Sequence, residues 1–211
     1  LSLRRQRQMC IRDRLYSAAN KVNIADYFEE NTQYHYQYTD NYTGDDSVWS
    51  AEYDYTTKAT DKFSVILTGD PQVGASGSSS DKSANDASVA RDAYNWNKTM
   101  QQALKTCPDA SFLLSAGDQI NQSGATKDDD KKTRESEYAG YLYPSVFRSL
   151  PIAATIGNHD MAGSDYSAHF NNPNSEDKLG STAAGSDFYF NYGDVLLSLI
   201  HISEPTRPIS I

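Results

Sequence analysis

The sequence predicts an α/β architecture preceded by a smaller all-β unit, and three observations carry that expectation. Compact apolar runs at Phe63 to Leu67, Phe112 to Ser115 and Ile152 to Ile156 have the length and composition of buried strands. Between the first two, Ala87 to Thr106 shows helical spacing through Val89, Tyr94, Met100 and Leu104, and Cys107-Pro108 ends it. Ahead of them, Tyr34, Tyr36 and Tyr38 alternate with polar neighbours, which is a strand period.

In chain order, Tyr16 to Thr57 is Tyr-rich, with a second alternation at Trp49, Glu52, Tyr53 and Tyr55 and turn signals at Asp40-Asn41 and Gly44-Asp45. Residues 15–60 are therefore expected to be a partial β unit with its linker, Lys58 to Lys62, and residues 61–196 the α/β unit. After the first apolar run, Gly74 to Ser83 reads as a flexible loop; its backbone N–H groups suit phosphate, but it has no P-loop lysine. Strand, crossover helix and strand form a right-handed parallel unit by default. Asp128-Asp129-Asp130-Lys131-Lys132 lacks the spaced oxygens and turn glycine of a calcium loop and reads as a solvated loop before a second helix. Ala168 to Pro173 reads as a loop near the same sheet edge, and Phe188 to Asp194 as a hairpin leading into a strand at Val195-Leu196.

Each apolar run ends in a short polar string: Gly69-Asp70-Pro71-Gln72, Gly117-Asp118-Gln119-Ile120-Asn121 and Gly157-Asn158-His159-Asp160. Open α/β sheets bind ligands beyond the carboxyl ends of their strands, where rigid strands hold converging loops. Carboxylate and amide oxygens suit hard or borderline cations, and an imidazole beside them suits proton transfer. Two metals so held clamp a phosphoryl group and generate hydroxide at neutral pH. Taken singly, each Asp or Asn better fits a turn or helix cap after a strand. Three strings in order, each on a strand end, favour a site.

These three strings resemble the signature of the calcineurin-like metallophosphoesterases, within them the bacterial relatives of purple acid phosphatases. The resemblance implies a metallophosphoesterase-type β-sandwich core flanked by helices, incomplete here, preceded by the tail of a fibronectin-like sandwich. It implies two divalent or mixed-valence metal ions (Fe, Mn or Zn), with Asp70 on the first, Asp118 bridging both and Asn158 on the second. Gln72, a further metal candidate, stands where many members have histidine, and Asn121 stands where purple acid phosphatases have the tyrosine that colours the iron. His159 would contact the phosphate or protonate the leaving oxygen, and with Asp160 it forms the candidate catalytic pair. Asn121 and His169 are the candidate substrate-binding residues. The implied reaction is in-line attack of a metal-bound hydroxide on a small phosphoester, a monoester before a diester, by a secreted or cell-surface enzyme. Related enzymes carry two further histidine motifs downstream; this chain lacks them and is expected to be inactive by itself. The alternative is a non-catalytic extracellular binding protein on the same fold.

The ends carry a different pattern. A coding string for Met9 to Arg14, read on the opposite strand, encodes Leu-Ser-Leu-Ile-His-Ile, the residues at Leu197 to Ile202. It resembles the inverted transposase recognition end used in preparing sequencing libraries, and Arg4 to Arg14 and Leu197 to Arg207 match its read-through. Residues 1–14 and 197–211 are therefore expected to be non-native and are set aside. With them go Cys10 and His201, leaving Cys107 and no intrachain disulfide framework. Residues 15–196 then hold 19 minus 6 basic and 28 minus 2 acidic side chains, a formal charge of -13. An acidic surface repels polyanions, so a small phosphoester is favoured over nucleic acid. No apolar run approaches membrane-span length.

Overall fold

The computed structural model describes residues 28–39, 49–77, 82–174, 180–185 and 187–199. Tyrosine alternation builds the first element: β1 (Gln33–Tyr36) and β2 (Tyr53–Thr56) pair antiparallel, with Tyr34 opposite Tyr55 and Tyr36 opposite Tyr53. This places aromatic rings together on one face, where cross-strand pairs stabilise a sheet. The hairpin docks on the larger unit: the Tyr36 hydroxyl donates to the Arg148 carbonyl at 2.6 Å, and the Arg148 guanidinium lies over Tyr53. The turn signals at residues 40–45 lie outside the described residues, as do both terminal tracts except 197–199.

A parallel sheet organises the larger unit. Its strands β3 (Ser64–Thr68), β4 (Ala110–Ser115) and β5 (Ile152–Ala154) lie in that order, with Ile66 opposite Leu113 and Leu113 opposite Ile152. Helix α1 (Lys82–Thr106) crosses from β3 to β4; α2 (Asp128–Tyr141) and a 3-10 turn at Ser145–Arg148 cross from β4 to β5. A single-turn helix α3 (Tyr166–His169) follows, then the antiparallel hairpin of β6 (Phe188–Tyr192) and β7 (Val195–Leu199). Strand β7 runs through position 197 without a break.

Alternation along β4 explains the layers. Leu113 faces α1 and packs in a cluster with Met100, Ala110 and Leu150. Its neighbour Phe112 faces the other way, with its ring 5.7 Å from Phe190 and 5.1 Å from Tyr192 of the hairpin. A strand covered on both faces reads as a continuous apolar run, as β4 does. Strand β3 departs from the expected burial: Leu67 is 71% exposed. It lies at the sheet edge, and Val65 and Leu67 share the hairpin-facing side while Ile66 packs toward α1.

Two further expectations are corrected. Helix α1 starts at Lys82, and its buried stripe runs through Val89, Ala93, Trp96, Met100 and Ala103, whereas Tyr94 is 58% exposed. Five residues past Val89 is about 140° around the helix, off the buried face, while steps of four and three return to it. The acidic run is the first turn of α2 rather than a loop. Carboxylates there oppose the positive end of the helix dipole, and Asp130 accepts the Lys127 N–H at 3.3 Å. The molecule is thus mixed α/β with one parallel sheet. Among the described residues there is no closed barrel, and no helix is long and apolar enough to cross a membrane.

Candidate functional site

The three polar strings meet because their strands are neighbours. Just past the strand ends, the Ala116 N–H donates to the Thr68 carbonyl and the Thr155 N–H to the Ser115 carbonyl, both at 2.8 Å. The chain then turns through left-handed backbone at Asp70 (φ 49°), Gln72 (φ 37°) and Asp118 (φ 52°). Side chains adopt this conformation at a cost, and such outliers concentrate where geometry serves a function. The first two turns are joined by the Gln72 N–H on the Asp118 carbonyl at 3.0 Å and by a short parallel bridge between Val73 and Ile120. The third meets them through glycine: a Cβ on Gly157 would lie 2.1 Å from Asp118 Oδ1 and 2.2 Å from its backbone nitrogen.

Asp118 is the junction. It is 6% exposed; its Oδ1 accepts the His159 N–H at 2.9 Å and its Oδ2 the Gln72 amide at 3.3 Å. His159 Nδ1 faces the Asn121 carbonyl. A carbonyl only accepts, so Nδ1 carries the proton, and the neutral ring keeps its lone pair on Nε2. Asp70 and Asn158 are exposed, and the Asp70 carboxylate has no hydrogen bond or ion pair among the described residues.

No protein-family model and no curated protein matches this chain. The residues themselves carry the functional case. Asp70 and Asp118, with the amides of Gln72 and Asn158, offer the oxygen donors that hard cations take. Among the described residues, no three His, Cys, Asp or Glu side chains group as a metal-holding set, so acids and imidazoles alone do not complete a site.

Other candidates take different places. Asp160 is fully buried, accepting from the Gly157 N–H at 2.9 Å, the Gln119 N–H at 3.4 Å and the Tyr138 hydroxyl at 2.9 Å. Burial pushes its pKa up to about 6 against those donors. It is held inside the third turn by these three donors, while His159 lies at the turn's surface side. Asn121 takes part through its backbone, its N–H bound to Glu137 and its carbonyl to His159. His169 lies against α2, with its Nε2 3.1 Å from Glu135 and its ring on Tyr138. Those contacts tie it to the helix rather than to the three turns. In the stretch read as a flexible loop, the N–H groups of Gly74 and Ser76 donate to the Asp92 carboxylate, at 3.0 and 3.1 Å. The rest of that loop, residues 78–81, lies outside the described residues.

The supporting residues are on α2, and the composition of the acidic run drew attention from them. Arg134, Glu137, Tyr138 and Tyr141 follow the three-and-four spacing of one helix face, and all are buried. Glu137 Oε2 accepts the N–H groups of Asn121 at 3.0 Å and Gln122 at 2.7 Å. Burial raises its pKa to about 7 despite them. Burial also works against the Arg134 charge, but its bond to Asp165 prevails and its pKa is raised. Polar residues at core positions of a helix are the signal by which the sequence could have revealed this scaffold.

Proposed function

We propose that the chain carries a phosphoester-hydrolysing centre of metallophosphoesterase type, in a longer protein that completes it. The observation supporting this is the meeting of three strand-end turns at one sheet edge, with the Asp118 carboxylate between Gln72 and the His159 backbone. Asp70, Asp118, Asn158 and Gln72 would hold two ions of Fe, Mn or Zn. When bound, such ions polarise the phosphoryl group and acidify water at neutral pH. His159, with Nδ1 committed to the Asn121 carbonyl, presents Nε2. Protonated there, it donates to a phosphate oxygen or to the leaving oxygen. Asp118 and Asn121 together orient it.

The substrate class is a small phosphoester, a monoester before a diester, because the formal charge of -13 over residues 15–196 (19 minus 6 basic, 28 minus 2 acidic) disfavours nucleic acid. The same reading takes the parallel sheet and the β6–β7 hairpin as part of the sandwich core, β1 and β2 as the remnant of a fibronectin-like unit, and the protein as secreted or cell-surface. The test is hydrolysis of an aryl phosphate by the full-length natural protein with added manganese, zinc or iron. Metal-dependent turnover is expected, and Asp118→Ala should lower it about a hundredfold or more with loss of bound metal. A well-folded wild-type protein without metal-dependent turnover, or an Asp118→Ala variant that keeps its metal and its rate, overturns the proposal.

A further inference from the structure

We propose that Arg134 is a positioning residue for His159, placing the imidazole through the main chain of the third turn without touching substrate. This rests on the phosphoester reading above.

Arg134 is fully buried beneath the second and third turns. A guanidinium has five N–H donors in one rigid plane, and here every one has an acceptor. Nε and Nη2 hold the two Asp165 carboxylate oxygens at 2.6 and 2.9 Å. Nη1 donates to the carbonyls of Gln122 and His159, both at 2.7 Å, and Nη2 to that of Asp160 at 2.8 Å. The Nη1 contacts carry the inference. One nitrogen ties His159 itself to Gln122, the residue after Asn121, and the Asn121 carbonyl holds the His159 ring. His159 is thereby fixed at its carbonyl by Arg134, at its N–H by Asp118 and at Nδ1 by Asn121. Asp165 sets the plane of the fork from the opposite side, so the carbonyls cannot drift without breaking a bidentate ion pair. A lysine ammonium is a point charge with no plane, and it cannot span Asp165 and three carbonyls at once.

The test follows His159 in the chain labelled with ¹⁵N-histidine, comparing wild type, Arg134→Lys and Asp165→Asn, with circular dichroism and amide spectra reporting the fold. Wild type should show one neutral tautomer, protonated on Nδ1. Arg134→Lys should remain folded while that signature gives way to a mixture of tautomers. In the full-length protein, kcat for an aryl phosphate should fall about tenfold or more, with KM changing less than about threefold, as expected for misplacing a group that acts in the transition state. A folded Arg134→Lys with wild-type His159 signals overturns the proposal. If Arg134→Lys does not fold, Asp165→Asn decides by the same signature: a mixture supports positioning, and an unchanged tautomer overturns it. Failure of both variants to fold also overturns it, since Arg134 would then anchor the fold as a whole. A wild-type protein with the locked tautomer but no phosphoester cleavage overturns the phosphoester reading alone, because the histidine spectra are recorded on the chain without added metal or substrate.

Discussion

At the residue scale, the site is defined by conformations that side chains avoid. Asp70, Gln72 and Asp118 all sit at positive φ, and hydrogen bonds between Gln72 and Asp118 hold the last two there. Glycine is required at 157, because any Cβ would meet the Asp118 backbone nitrogen as well as its carboxylate, and backbone cannot swing aside. Gly157→Ala is therefore expected to lower stability by about 2 kcal/mol or more, seen as a melting temperature lower by about 5 °C or more. An unchanged melting curve would mean that the second and third turns are not in backbone contact. The glycines, acids and histidine of these turns were legible in the sequence, because Gly before Asp or Asn after an apolar run signals a turn at a strand end. Their division of labour was not. Asp160 differs from Asp118 only in which way the turn points it, and that depends on Tyr138, far along the chain.

At the element scale, α2 is the scaffold. Its outer surface and acidic first turn face water, while Arg134, Glu137 and Tyr138 hold the turns from below. Glu137 gives the helix a pH signature. Its folded pKa, about 7, lies above the ordinary value of 4.5, so between these the folded state binds the proton more tightly than the unfolded chain. Its contribution to stability is fully present below about 4.5 and is lost as pH rises through about 7. Asp160, raised to about 6, acts in the same direction. Melting temperature should thus fall from pH 5 to pH 8, and Glu137→Gln should flatten that fall; equal slopes for the two proteins would contradict the buried carboxyl's role. Helix α1 was legible from spacing and from the Cys107-Pro108 stop, and Val89, Met100 and Leu104 do pack in the core, whereas Tyr94 does not. Tyr94 looked apolar enough to be core, but only the register set by Trp96 and Met100 decides which side packs.

At the scale of the whole molecule, chain order made the parallel sheet legible: apolar run, helix, apolar run leaves few other topologies. Burial was less legible, since the β3 sequence is as apolar as that of β4 and only its edge position leaves Leu67 open. The sheet matters because it delivers three turns to one edge, and the central claim is that this edge binds metal. Manganese titration of the ¹⁵N-labelled chain tests it most directly, because the paramagnetic ion broadens signals near its site. Asp70, Gln72, Asp118, Asn158 and His159 should broaden together at substoichiometric manganese, β1 and β2 should stay sharp, and Asp118→Ala should remove the effect while the fold persists. Broadening confined to the acidic first turn of α2, or none at the three turns, would contradict it.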